Sequence, residues 1–162
     1  MLENPVLWFE PVLPGVGLTA PRCSLNVRAW DRGPPIGRIE IRPLAWLPWG
    51  VRWRMAADEG ADRSLVFTAR RAGWMPRDWD VLDADGRFVA LWRGSRLLSP
   101  DGRIIGRRSR GSAGVHSAAH QPWASWYCEA SRLRLEFQPQ IDEPFLRMAI
   151  IVASLIEPTA TA

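Results

Sequence analysis

Residues 142–158 read DEPFLRMAIIVASLIEP, and the burial this stretch demands decides the fold. Asp142 and Glu143 suit the positive end of a helix dipole, and Pro144 suits a first turn, where its missing N–H costs nothing. Pro158 stops the run. The pattern predicts a helix over 143–157. From Phe145 to Ile156 only Arg147 and Ser154 interrupt an apolar sequence, and, seven residues apart, they share one narrow stripe. A helix apolar on almost every side has to be enclosed. Twelve residues fall short of the roughly 20 needed to cross a bilayer, so the enclosure is expected to be protein.

The residues upstream supply strands. Leu133, Leu135 and Phe137 alternate with Arg and Glu, and Trp123 to Cys128 reads as a strand before them. Residues 109–122 (SRGSAGVHSAAHQP) are small and polar and read as a loop. Residues 82–90 (LDADGRFVA) and 98–106 (LSPDGRIIG) superpose at an offset of 16, with Asp85-Gly86-Arg87 on Asp101-Gly102-Arg103. Each Asp-Gly ends a tight turn, because Gly takes the positive φ that closes it. Two similar hairpins in a four-strand meander follow, linked at Gly94-Ser95. Residues 23–30, 37–42, 51–56 and 64–72 read as further strands. Residues 43–50 (PLAWLPWG) read as an uncharged Trp-rich loop.

Residues 1–21 hold Pro5, Pro11 and Pro14, and Pro is excluded from helices and central strands. They read as an extended Pro-rich arm lying on the domain, with Trp8 and Phe9 as anchors. Residues 22–158 then form a single domain, and 159–162 a disordered tail. An open sheet covers one side of a helix. A closed or nearly closed antiparallel β-barrel covers every side and leaves no exposed edges, and that mainly β architecture around a C-terminal helix is the expected fold.

Composition narrows function little. Apolar residues make up 47% and charged residues 23% of 162, so the chain can build a core. All 21 basic residues are Arg, for a net charge of +4, which permits an anionic partner without requiring one. Two Cys make no disulfide framework and point to a reducing compartment. Glu3, Glu10 and the early prolines break any secretory signal pattern.

The succession WDVLDADGRFVALWRG (79–94), LLSPDGRIIGRR (97–108) and LRLEFQPQIDEPFLRMAIIVASLIE (133–157) resembles the tubby-like superfamily, in particular the phospholipid scramblase and LURP-one-related proteins. The resemblance covers residues 64–158. It implies a β-barrel around a central C-terminal helix, an agreement with the enclosure reached above, and it implies binding of phosphoinositides or other lipids. Scramblases carry a calcium site just before the helix. Here Ala130 to Gln138 has Glu136 as its one acid, while calcium wants six or more oxygen ligands.

Other chemistry is thin. Asp83-Ala84-Asp85-Gly86 opens like a calcium loop, but Arg87, Phe88 and Gly94 stand where ligands and the turn glycine belong, so turn chemistry explains it better. His116 and His120 have a zinc-ligand spacing, with Cys128 beyond, yet no fourth ligand is in view. Neither a catalytic set, a Walker loop nor a dinucleotide loop is present. No catalytic residue, metal or cofactor is therefore expected.

Arg103, Arg107, Arg108 and Arg110 form the densest basic run, and Arg70, Arg71 and Arg77 a second. The candidate anion-binding residues are Arg70, Arg71, Arg103, Arg107, Arg108 and Arg110. Trp8, Phe9, Trp46, Leu47 and Trp49 are candidate partner or membrane contacts. The expected function is a non-enzymatic barrel that binds an anionic lipid or similar ligand, cytoplasmic and peripheral on the inner face of a membrane. The alternative is an interaction or structural subunit docked on a larger membrane complex through its Trp-rich loop and N-terminal arm. Nucleic acid ranks below both, because most of the Trp fall in strands.

Overall fold

Period-two alternation sorts almost every strand into an inner and an outer row. The computed structural model describes residues 1–12, 23–47, 50–71, 78–108, 113–129 and 131–156. In these, β1 (Val6–Pro11), β2 (Cys23–Arg28), β3 (Gly37–Leu47), β4 (Gly50–Glu59), β5 (Ser64–Arg71) and β6 (Asp78–Asp83) run antiparallel in chain order. They continue through β7 (Phe88–Arg93), β8 (Arg96–Leu98), β9 (Ile104–Arg108), β10 (Gly114–Ser117), β11 (Pro122–Glu129) and β12 (Arg132–Phe137). β12 pairs with β1, so the meander closes into a barrel without a free edge. Leu7 and Phe9 of β1, Leu25 and Val27 of β2, Phe67 of β5, Trp126 of β11 and Leu133 and Leu135 of β12 are fully buried inside.

Helix α1 (Pro144–Ile156) runs through this core. Arg147 to Leu155 are nine consecutive buried residues, more than two turns, so every face of the helix is covered. The enclosure expected from its composition is met by a closed barrel. At its start Glu143 supplies the carbonyl that accepts the Arg147 N–H at 3.2 Å, and Pro144 is the first helical residue. Among the described residues no helix is long and apolar enough to cross a membrane.

The 16-residue repeat appears as two copies of one turn. Asp83 N–H donates to Arg87 O and Gly86 N–H to Asp83 O; Ser99 N–H donates to Arg103 O and Gly102 N–H to Ser99 O, all between 2.9 and 3.1 Å. Gly86 (φ 78°) and Gly102 (φ 82°) take the left-handed position that closes such three-residue loops. Between the copies, Gly94 (φ 59°) makes the two-residue turn from β7 to β8.

Three segments differ from expectation. Residues 6–11 are not an arm lying on the barrel: β1 is ladder-paired to β12 on one edge and β2 on the other. Pro11 ends the strand and Pro5 precedes it, so neither interrupts the pairing. Residues 43–47 are not loop but the second half of β3, with Pro43 accommodated at a register shift before Ala45. Residues 114–117, expected as loop, form β10. They are joined to β11 by a third turn of the repeat type, in which Ser117 N–H donates to Gln121 O and His120 N–H to Ser117 O. There His120 (φ 64°) stands where the other two turns have Gly.

Candidate functional site, an arginine belt on the barrel wall

Directly opposed residues on neighbouring strands share a face, and the register lines up arginines that are far apart in sequence. One row on the outer wall runs Arg42 (β3), Arg54 (β4), Arg70 (β5), Asp80 (β6). Two residues back along β6, Asp78 begins a second row: Arg93 (β7), Arg96 (β8), Arg107 (β9), His116 (β10). Asp80 Oδ2 lies 3.1 Å from Arg70 Nε, and Asp78 Oδ2 3.9 Å from Arg93 Nε. Arg42, Arg54, Arg96 and Arg107 form no ion pair among the described residues. Adjacent strands lie about 4.8 Å apart, so the belt presents six guanidinium groups against two carboxylates.

The far side of the barrel is balanced instead. Glu10 on β1 takes Arg28 at 3.2 Å and Arg132 at 3.0 Å, Asp31 takes Arg132 at 2.7 Å, and Glu136 pairs with Arg134. Arg134 also lies over the Trp8 ring, 5.4 Å from its centroid. Cations and anions interlock there, while unpaired cations collect between β3 and β9.

Of the residues singled out from sequence, Arg70 and Arg107 belong to the belt. Arg103 sits in the 99–103 turn, four residues along from Arg107, exposed and 2.9 Å from Asp101. Arg71 and Arg108 are half-buried and already partnered, and Arg108 stands opposite the fully buried Val115. Alternation thus splits each run of adjacent arginines between two faces. Arg77, Arg110 and Trp49 lie outside the described residues. Trp46 and Leu47 belong to β3 opposite Val51 and Gly50, with side chains outside the description. Trp8 is half-buried on the outer wall. Phe9 is fully buried in the core, so it is withdrawn as a partner or membrane contact: in a strand with Trp8 facing out, its neighbour faces in.

Arg42, Arg54, Arg93 and Arg96 are not among the anion-binding candidates read from sequence. Arg93 and Arg96 had a signal, since they flank the Gly94-Ser95 turn and must face each other across it. His116 lies in β10 and is partnered, while His120 is exposed in the turn. No group of three His, Cys, Asp or Glu among the described residues could hold a metal ion.

Perturbed ionisable groups lie off the belt. Burial pushes up the Cys23 and Cys128 thiols. It lowers the Arg147 guanidinium, an effect opposed by the Asp142 charge. The Ser64 hydroxyl, hydrogen-bonded at 2.7 Å, holds the Asp62 carboxyl below the usual range.

No family model, curated protein or solved structure matches this chain.

Proposed function

We propose that the protein is a non-enzymatic barrel that docks on anionic lipid through its arginine belt. The observation that carries this reading is Arg96 placed opposite Arg107 with neither ion-paired among the described residues. Like charges directly opposite each other on a sheet destabilise it, and an anionic partner relieves that repulsion. Guanidinium forks match phosphate oxygens in geometry and charge. A closed barrel around its C-terminal helix is also the arrangement implied by the resemblance to the tubby-like superfamily and its lipid-binding members.

Each arginine close to an anionic bilayer contributes about 1 kcal/mol. The belt therefore supports peripheral, salt-sensitive attachment. Co-sedimentation of the full chain with vesicles of phosphatidylcholine containing one-third phosphatidylserine tests it. Binding is expected in low salt, with release near 0.5 M salt. Arg96→Gln combined with Arg107→Gln is expected to weaken it by at least tenfold. Absence of binding at low salt, or equal binding to pure phosphatidylcholine, overturns the reading.

A further inference from the structure

At the end of the barrel where α1 begins, opposite to the Gly94 turn, a cavity of about 670 Å³ opens to solvent. The two repeated turns form one wall, through Arg87, Phe88, Ser99 and Pro100; the first turn of α1 forms another, through Glu143, Phe145 and Leu146. Its volume falls within the range of small-molecule sites, which favour barrel mouths. Phe88 and Phe145, 40% and 44% exposed, are two of the few large apolar side chains left open to water among the described residues, and both line this one space. Trp123 lies deeper, its ring set against Gly106, where a Cβ would come within 2.7 Å of it.

The charges in the lining have a net sign. Asp83 and Glu143 are its two carboxylates. Neither forms an ion pair among the described residues. Asp83 Oδ1 accepts the Arg87 backbone N–H at 2.8 Å, which fixes that carboxylate at the wall. Arg87 is the one cation of the lining among the described residues, and its guanidinium lies 3.7 Å from Asp85, so two carboxylates stand against one ion-paired cation. The cavity thus offers aromatic faces and hydrogen-bond acceptors, a pairing suited to a cation with an apolar body.

From this we infer a second site, separate from the arginine belt: the cavity between the repeated turns and the start of α1 binds a small apolar amine, its ring against Phe88 and Phe145 and its ammonium toward Asp83 and Glu143. The preference for a cation is opposite in sign to that of the belt, so the two sites fail independently.

The test uses three naphthalene probes of similar shape: 1-naphthylethylamine, 1-naphthylethanol and 1-naphthylacetate. Each is titrated into the 15N-labelled full chain while amide shifts are followed by NMR. The amine is expected to bind most tightly and to move the amides of Gly86, Gly102 and Phe145. Glu143→Gln, at an exposed position, is expected to weaken the amine at least fivefold and leave the alcohol unchanged. Phe88→Ser is expected to weaken both. Tightest binding by the acetate overturns the charge assignment. Shifts confined to other parts of the barrel, or no saturable shift with any probe, overturn the site.

Discussion

The indole N–H of Trp92 donates to the carbonyl oxygen of Ala149 across 2.7 Å, a hydrogen bond from barrel wall to helix backbone. Trp92 is buried on β7, and Ala149 lies in the second turn of α1. The bond fixes both the rotation and the depth of the helix, because one turn either way moves the carbonyl by about 5.4 Å. Purely apolar packing gives no such marker.

Trp92→Phe keeps an aromatic ring and removes the donor. The variant is expected to be less stable by about 2 kcal/mol, the sum of a lost buried hydrogen bond and a partly filled cavity. Urea denaturation followed by far-UV circular dichroism measures it, and an unchanged midpoint would mean the bond does not hold the helix.

Arg147, in the first turn of the helix, ties its start to the N-terminal residues. Buried without a carboxylate partner among the described residues, it donates to Ile141 O at 2.6 Å, to Leu2 O, and to Asn4 O at 3.2 Å, and lies 5.0 Å from the Phe137 ring centroid. Arg147→Met leaves three carbonyls short of donors. A loss of about 3 kcal/mol is expected, with early hydrogen exchange at the β1 amides that pair with β12. Exchange in β1 as slow as in the parent would refute the idea that the clasp between the helix and residues 2–4 holds the first strand in place.

His120 holds a left-handed φ of 64° that costs a non-glycine residue about 1 kcal/mol. Gly occupies this place in the two sister turns. His120→Gly is expected to raise the melting temperature by a few degrees, since relief of strain exceeds the added freedom of the unfolded chain. A lower melting temperature would show that the imidazole makes up the difference.

Burial raises the Cys23 thiol above its ordinary value near 9.0. Below that pH both folded and unfolded chains keep the thiol proton, and the contribution to stability is complete. As pH rises further, the unfolded chain ionises first, so stability falls through the folded value. Cys23→Ala is expected to flatten the loss of stability between pH 8 and pH 10, whatever its effect at pH 7. Identical slopes for variant and parent would place the alkaline loss in other groups.

Arg96→Thr removes one side of the repulsion facing Arg107 and puts a β-former in the strand. At low ionic strength the variant is expected to gain a few tenths of a kcal/mol in stability, a gain that fades in 0.5 M salt. No gain at low salt would show that water already screens the pair.

The parts of this fold legible in the sequence were those governed by local rules. The apolar circumference of α1 required enclosure, and Asp-Gly turns at a 16-residue offset required two matching hairpins. Strand β1 is hidden by the density of prolines around it, although Pro5 and Pro11 stand at the strand ends and leave pairing intact. Strand β10 was hidden because His120 replaces the glycine that marked its sister turns. The belt was hidden for a different reason. Arg107 and Arg108 look like one cluster in sequence but face opposite ways, while Arg96 and Arg107 become neighbours only through register, which depends on turn geometry at both ends of β8.

The seam of the barrel joins its first strand to its last, and beside it Arg147 reaches the carbonyl of Leu2 across 145 residues. During synthesis β1 is made before the strands β2 to β11 that separate it from β12, and it has no partner on that side until they are complete. Until β12 is available the sheet stays unclosed, with its apolar inner face bare. Closure therefore waits on long-range pairing, which is slow because the entropy of closing the loop must be paid before the contact forms.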